Sequence, residues 1–393
     1  MIAEREMSTY EASHRLKSVC QLLNLSPKIR FEDNDNLVAT CSLYSPSGEE
    51  VSSGAGKGRY CELGAVAESL EHHFLEQCIG DEPEVISGAR IHGCTHSHDD
   101  WLLKSVPASL DIPAFRLNSL HGDESIYVPA ALLNPCSGYV EEILETEASF
   151  LTKYSSNSGM AFGCTENEAL LHAINECIER HALSVYYMSV CKLMPALKLQ
   201  IPSNSFLEDA FCTDKTLLAH AKKLTLFLTN EFYGAFFCIA IAKREIDCSL
   251  SVVGSGCSAD PSVALYRAVS EQLQCSRLRR PKEKQEDLST ACMLGSSKRL
   301  SKLLTPIIDY PAETLNRGTS SQGMRAQIQQ ATEKLHEHGR SVFYRTLFNK
   351  PGLACVVQAY IPGLERFHLI RSGIPVVPQS ALSQGLREKH VFL

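Results

Sequence analysis

Two pairs of glutamates stand out by their spacing: Glu68 with Glu71, and Glu176 with Glu179. On a helix, residues three apart project from one face, so each pair offers two carboxylates to the same space. A third stretch carries Arg267, Glu271 and Gln274 at i, i+4 and i+7, one further polar stripe. Taken singly, such stripes are what a solvated helix face looks like, and Glu176 with Arg180 has the spacing of an ordinary ion pair. Repetition argues for more. Four carboxylates turned into one cavity would be very costly unless cations neutralised them. Mg²⁺ fits, because it is usually held by one or two carboxylates together with substrate phosphates, which suits a nucleotide triphosphate. Lys57, Arg180 and Arg267 would offset the remaining charge. Glycine-rich turns ahead of helices would present backbone N–H groups to phosphate oxygens.

The elements that must position these residues share one grammar: apolar strand, glycine-rich turn, then a helix with acids on one face. In the first unit, residues 37–44 read as a strand, 45–48 as a turn and 49–53 as a returning strand. Gly54, Ala55, Gly56, Lys57 and Gly58 then form the glycine-rich turn before a helix over about 59–78. The second unit has Ser155 to Gly159 and Gly163 ahead of a helix from about Glu166, with Thr165 and Glu168 in a capping-box pattern. The third has strands over 235–242 and 248–253, then Gly254, Ser255 and Gly256, with Asp260 as N-cap, Pro261 at the first helical position and a helix to about residue 280. Residues 84–125 mix short apolar pieces with turns. Residues 281–340 are polar, with an exposed loop over 316–323, and 354–361 read as a late strand. No linker-like break in composition appears, so the expectation is one large α/β (α+β) unit built from repeated modules.

Composition narrows the class. The chain has 393 residues, 44% hydrophobic and 21% charged, with a net charge of −7, which suits a soluble globular protein and neither a general nucleic-acid binder nor a membrane protein. The N-terminus is polar, without the apolar core of a signal peptide, so the cytoplasm is the expected compartment. Sixteen cysteines are scattered singly with no CxxC pair, the pattern of reduced, buried thiols. His92, Cys94, His96 and His98 alternate and would share a strand face fit for Zn²⁺, although a polar loop is the plainer reading. Gly58 follows Gly56-Lys57, so this is no P-loop, and no GxGxxG fingerprint sits in a dinucleotide-binding context.

Four strings carry a resemblance: SSGAGKG (52–58), AVAESLEHH (65–73), NSGMAFGCTENEALLHAINECIERHAL (157–183) and GSGCSADPSVALYRAVSEQLQCSR (254–277). Together they resemble the YcaO family, from about residue 25 to the C-terminus, with residues 1–24 as an N-terminal extension. The resemblance places Glu68, Glu71, Glu176 and Glu179 on the family's Mg²⁺-binding acids. It places Arg180, Arg267 and Glu271 on nucleotide contacts, with Lys57, Asn157, Ser158, Cys164 and Gln274 as further cofactor-site positions. Ser158 stands where the family has Asn, with Asn157 one position early, and Cys164 stands where Asn is common. The implied activity is ATP-dependent phosphorylation of a backbone amide in a ribosomally made precursor peptide, giving a thiazoline or oxazoline of the microcin or bacteriocin type. Thioamide formation and a catalytically idle nucleotide-binding scaffold are the alternatives. The implied partners are a protein that binds the leader peptide and a flavin-dependent azoline dehydrogenase. Azoline-forming relatives often end in a proline-rich tail that reaches the active site. This chain ends Lys389-His390-Val391-Phe392-Leu393, which makes His390 and Phe392 the expected catalytic tail residues.

Overall fold

Alternation of apolar residues sets the first hairpin. β1 (Ser26–Phe31), β2 (Val38–Tyr44) and β3 (Glu50–Lys57) form an antiparallel sheet in that order. Its tight turn needs a residue in the left-handed region, and Gly48 supplies it at φ +86°. The computed structural model describes residues 4–77, 82–94, 100–135, 138–243, 249–308, 312–316 and 322–382. A helix at Thr9–Leu22 precedes the sheet, and the first ExxE pair rides on the helix Cys61–Gln77.

Two larger sheets complete the frame. One contains β4 (Glu84–Ser87), β5 (Asp111–Ser119), β6 (Ser125–Pro129), β7 (Met160–Gly163), β13 (Phe343–Lys350) and β14 (Ala354–Tyr360), in the order β4-β5-β13-β14-β7 with β6 alongside β5. The other contains β8 (Gln200–Pro202), β9 (Thr225–Phe232), β10 (Ala235–Ile241), β11 (Val253–Ser258) and β12 (Glu313–Leu315), in the order β11-β10-β9-β8-β12. All their pairings are antiparallel except β8 with β12.

Strand periodicity divides the interior. On β10, Phe237, Ile239 and Ile241 enter the largest apolar cluster, whereas Cys238 and Ala240 enter another. On β14, Val357 faces the large cluster and Val356 a third, shared with Leu70 and Phe74. Successive side chains point to opposite faces, so one strand serves two cores. The long helix Glu166–Val190 lies in the large cluster, and its last turns, from Ala182 to Val190, are buried on every side. A helix buried nearly all round belongs in the interior of a fold, which makes its charged positions informative.

The α/β expectation holds, as does the strand–helix repetition, with local corrections. The glycine-rich segments of the first and third units are strands, not turns: Gly54 and Gly56 belong to β3, and Gly254 and Gly256 to β11. The expected strand at 248–253 lies further on, as Val253–Ser258. Glycine is needed there because the following helix packs directly on the strand backbone. A Cβ on Gly56 would stand 1.7 Å from the Cys61 carbonyl oxygen, and one on Gly254 would stand 2.3 Å from both Ala268 O and Gln272 N. The polar region 281–340 holds two helices, Pro281–Gly295 and Met324–Glu337.

Candidate functional site

Close helix–strand packing brings the glutamates onto backbone. Glu68 accepts the Ala55 N–H of β3 at 3.0 Å, and Glu71 accepts the Phe162 N–H of β7 at 2.7 Å. The first helix therefore spans two sheets through its two acids. On the long helix, Glu176 accepts the Gly159 N–H at 3.2 Å, and Glu179 accepts the Ser255 hydroxyl of β11 at 2.6 Å. Arg180 lies between them, 3.6 Å from Glu176 and 3.7 Å from Glu179. The third helix, Pro261–Leu278, contributes Glu271, which pairs with Lys57 at the end of β3 and accepts the Ser255 N–H at 3.4 Å. Arg267, one turn earlier, donates to the Cys257 carbonyl at 2.8 Å.

These groups feel one another's charge, so they stand close enough to form one site. Burial raises the Glu71 carboxyl well above its usual range, and repulsion from Glu68 and Glu176 adds to it against the Phe162 N–H. Burial likewise pushes Glu176 up to about 7, opposed by Arg180 and reinforced by Glu179 and Glu271. Glu271 behaves oppositely: burial would raise it, but Lys57 and Arg180 hold it low. Arg180 stays charged despite burial because Glu179, Glu176 and Glu271 surround it. His172 lies one turn before Glu176, with a buried Nδ1 that finds no hydrogen-bond partner among the described residues. Its basicity falls far below normal through burial, then through Arg267, Arg5, Lys57 and Arg180.

This donor set suits Mg²⁺ bound together with phosphate. Among the described residues, no three His, Cys, Asp or Glu side chains are placed to hold one metal alone. Mg²⁺ takes one or two carboxylates and fills the remaining positions with water and phosphate oxygen, so a divided set of acids beside cationic side chains is the appropriate arrangement. Buried acids whose protons are held at elevated pH are groups that a cation would relieve. A cavity of about 980 Å³ exists elsewhere, between the helix Met324–Glu337 and the β5–β6 hairpin, and none of these acids lines it.

A family model described as YcaO cyclodehydratase, ATP- and Mg²⁺-binding, matches residues 55–365, most of the chain. The chain belongs to the YcaO family. ATP and Mg²⁺ are therefore the cofactors of this YcaO chain. A protein of Methanothermobacter thermautotrophicus is 26% identical over 353 residues, covering 83% of this chain and 85% of its own length. The structure of YcaO from Methanopyrus kandleri bound with AMPPCP and Mg²⁺ superposes with a TM-score of 0.63 at 18% identity, covering 96% of this chain and 98% of that one. A heterocyclase in complex with substrate and cofactor gives a TM-score of 0.63 at 17% identity, over 93% of this chain and 54% of that one, so this chain spans about half of it. The Escherichia coli microcin synthetase McbBCD complex with pro-MccB17 bound gives a TM-score of 0.52 at 14% identity, over 85% of this chain and 86% of that one. At these identities the likeness is one of fold.

Within the YcaO fold, the structure brings Lys57, Glu68, Glu71, Glu176, Glu179, Arg180 and Glu271 near one another. Gln274 sits half-buried one turn beyond Glu271. Asn157 and Ser158 occupy the turn before β7, where the Ser158 hydroxyl bonds Ser156 at 2.6 Å. Ser158 also lines a small pocket with Arg180 and Cys177. The Cys164 side chain packs into an apolar cluster, and burial pushes its thiol up to about 11. Thr165 caps the long helix as expected, but Glu168 does not close the capping box: its carboxylate takes the N–H groups of Cys164, Glu6 and Met7. His390 and Phe392 lie outside the described residues, as do His96 and His98, whereas His92 ends a short helix rather than a strand. Sequence reasoning gave Glu168 only a capping role and Ser255 only a place in a turn, and it did not single out His172. Glu168 and His172 share the stripe of Glu176 at four-residue steps, a legible signal.

Proposed function

We propose that this chain is an ATP-dependent cyclodehydratase that activates backbone amides of a precursor peptide to form thiazoline or oxazoline rings. The observation that carries it is the paired glutamates on two helices, interleaved with Lys57, Arg180 and Glu271 in one cleft of a YcaO fold. A Cys, Ser or Thr side chain of the peptide attacks the preceding carbonyl carbon. The attacking group would lose its proton, the oxyanion would take the γ-phosphoryl group with release of ADP, and phosphate would leave with its C–O bond electrons as the amide nitrogen gave up its proton to form the C=N bond. Amide oxygen is a poor leaving group, and phosphorylation makes it a good one. Mg²⁺ supplies neutralisation of the transferring phosphoryl group. Glu68, Glu71, Glu176 and Glu179 are the residues that would hold it, each oriented by the donor already bonded to one of its oxygens. Lys57, Arg180 and Arg267 bind phosphate oxygens, and Glu271 fixes Lys57 for that contact.

The described cysteines are all free thiols, in keeping with a cytoplasmic enzyme. No described helix is long and apolar enough to cross a membrane. The microcin synthetase complex with pro-MccB17 bound and the heterocyclase with substrate support a precursor peptide and partner proteins. A leader-binding protein and an azoline dehydrogenase are the partners this reading calls for. His390, in the terminal tail, is the proposed proton-transfer group, with Phe392 helping to dock it. The test is incubation of the purified protein and its partner with candidate peptide labelled with heavy oxygen at the reacting carbonyl. Loss of one water per ring, with the label recovered in phosphate, is expected. Replacement of oxygen by sulfur in the presence of sulfide would show thioamide chemistry instead. ATP binding without any peptide modification would favour a scaffold.

A further inference from the structure

Residues Glu4 to Met7 bridge two helices of the site. The Glu4 carboxylate lies 2.6 Å from an Arg267 guanidinium nitrogen, and its other oxygen accepts the Ser258 hydroxyl. On the opposite side, the Glu6 N–H donates to the Glu168 carboxylate at 2.6 Å and the Met7 N–H to the same oxygen at 3.3 Å. The Glu6 carboxylate in turn accepts the Thr165 hydroxyl at 2.6 Å and the Asn167 amide at 3.0 Å. This strap ties the third helix to the start of the long one.

Glu4 is the unusual member. Its side chain is 3% exposed, and its φ of +58° puts a non-glycine residue in the left-handed region, which persists where surrounding contacts enforce it. Apolar packing would stabilise such a position at least as well as a buried ion pair, so the charge calls for another explanation. Arg267 provides one. Its guanidinium donates from one nitrogen to the Cys257 carbonyl and forms an ion pair with Glu4 through another, which restrains the rotamer and leaves other N–H groups for an incoming anion. The anchors on Glu168, Thr165 and Asn167 do not involve Arg267, so the strap stays in place when that arginine meets a ligand.

We infer that Glu4 is a positioning residue for the nucleotide site: through Arg267, the N-terminal strap sets the geometry in which phosphate is bound. This rests on Arg267 as a nucleotide contact. The experiment is a double-mutant cycle on the full chain, titrating Mg²⁺ with a non-hydrolysable ATP analogue into wild type, Glu4→Gln, Arg267→Gln and the double variant. Glutamine keeps the shape of Glu4, and melting curves without ligand check that each variant is folded. Glu4→Gln is expected to weaken binding about tenfold, the scale of a lost charge-assisted contact. The double variant is expected to bind no more weakly than Arg267→Gln alone. Unchanged or tighter binding by Glu4→Gln, beside a clear loss in Arg267→Gln, overturns the inference and leaves the nucleotide site standing. Losses that multiply in the double variant also overturn it, since Glu4 would then act independently of Arg267. Wild-type affinity in Arg267→Gln removes the premise and the inference together.

Discussion

Replacing Glu176 with glutamine should stabilise the protein without ligand while abolishing its response to Mg-nucleotide. The free protein holds this carboxylate against burial and against two neighbouring acids, with its pKa pushed from 4.5 up to about 7. At about 1.4 kcal/mol per unit, that is roughly 3 kcal/mol of lost stability well above pH 7. Its side chain is 20% exposed, so solvent screening trims the figure to about 2 kcal/mol. Glutamine keeps the oxygen that accepts the Gly159 N–H and removes the charge. The sign follows from the raised pKa. The buried neutral acid favours folding at low pH, and that advantage is lost as pH rises from about 4.5 through about 7. Scanning calorimetry at pH 8 should therefore find the ligand-free variant melting about 2–3 °C above wild type, given the unfolding entropy of a chain this long. Near pH 5 the difference should shrink to about a quarter. Saturating Mg-nucleotide at a thousandfold over Kd should add about 4 kcal/mol to wild type and almost nothing to the variant, inverting the order. A ligand-free variant that melts below wild type at pH 8, or gains as much from ligand, would refute the reasoning.

Ser255→Ala removes the hydroxyl that orients Glu179, so Mg-dependent nucleotide affinity should fall about tenfold in a calorimetric titration with little change in melting. Unaltered affinity would exclude that role. Gly56→Ala places a methyl group against the Cys61 carbonyl and should cost about 3 kcal/mol or more, read from the urea midpoint. A wild-type midpoint would mean that the strand and helix are not so close. In the native protein, a thiol reagent should modify Cys212 and Cys292 and spare Cys191, Cys238 and Cys257 until denaturant is added. Native-state modification of Cys257, followed by peptide mapping, would contradict its burial.

The helices bearing Glu68, Glu71, Glu176 and Glu179 were legible because the spacing of their acids is a local signal, as is the Thr165 cap of the long one, and Asp260 with Pro261 marked the third helix start correctly. The strands before them were not. Gly-Ser-Gly has the composition of a turn, but in β11 Gly254 is glycine because Ala268 and Gln272 leave no space for a side chain, and Gly256 because Ala264 and Ala268 leave none. Packing between elements overrode local propensity there. The helix Met324–Glu337 was missed although Ile328, Ala331, Thr332 and Leu335 follow helical periodicity, because its many polar residues concealed the stripe. Within the site, charge spacing revealed the acids but not their partners. Phe162 N–H, Gly159 N–H and Ser255 come from distant strands, and the pairing of Glu4 with Arg267 joins opposite stretches of the sequence. No local pattern encodes such contacts.

Each helix that brings an acid to the cleft is rooted in a different apolar cluster: Leu70 and Phe74 in one, Ile174 and Ile178 in the largest, Leu265 and Val269 in the last. Each cluster is a packed body of limited compressibility, so relative motion concentrates along the seams between them. The cleft lies on such a seam. A ligand held by groups from all three helices would act there as a mortar, joining blocks that would otherwise open with some independence. Native-state hydrogen exchange would then lose its separate opening steps as ligand is added, and the chain would unfold as a single block.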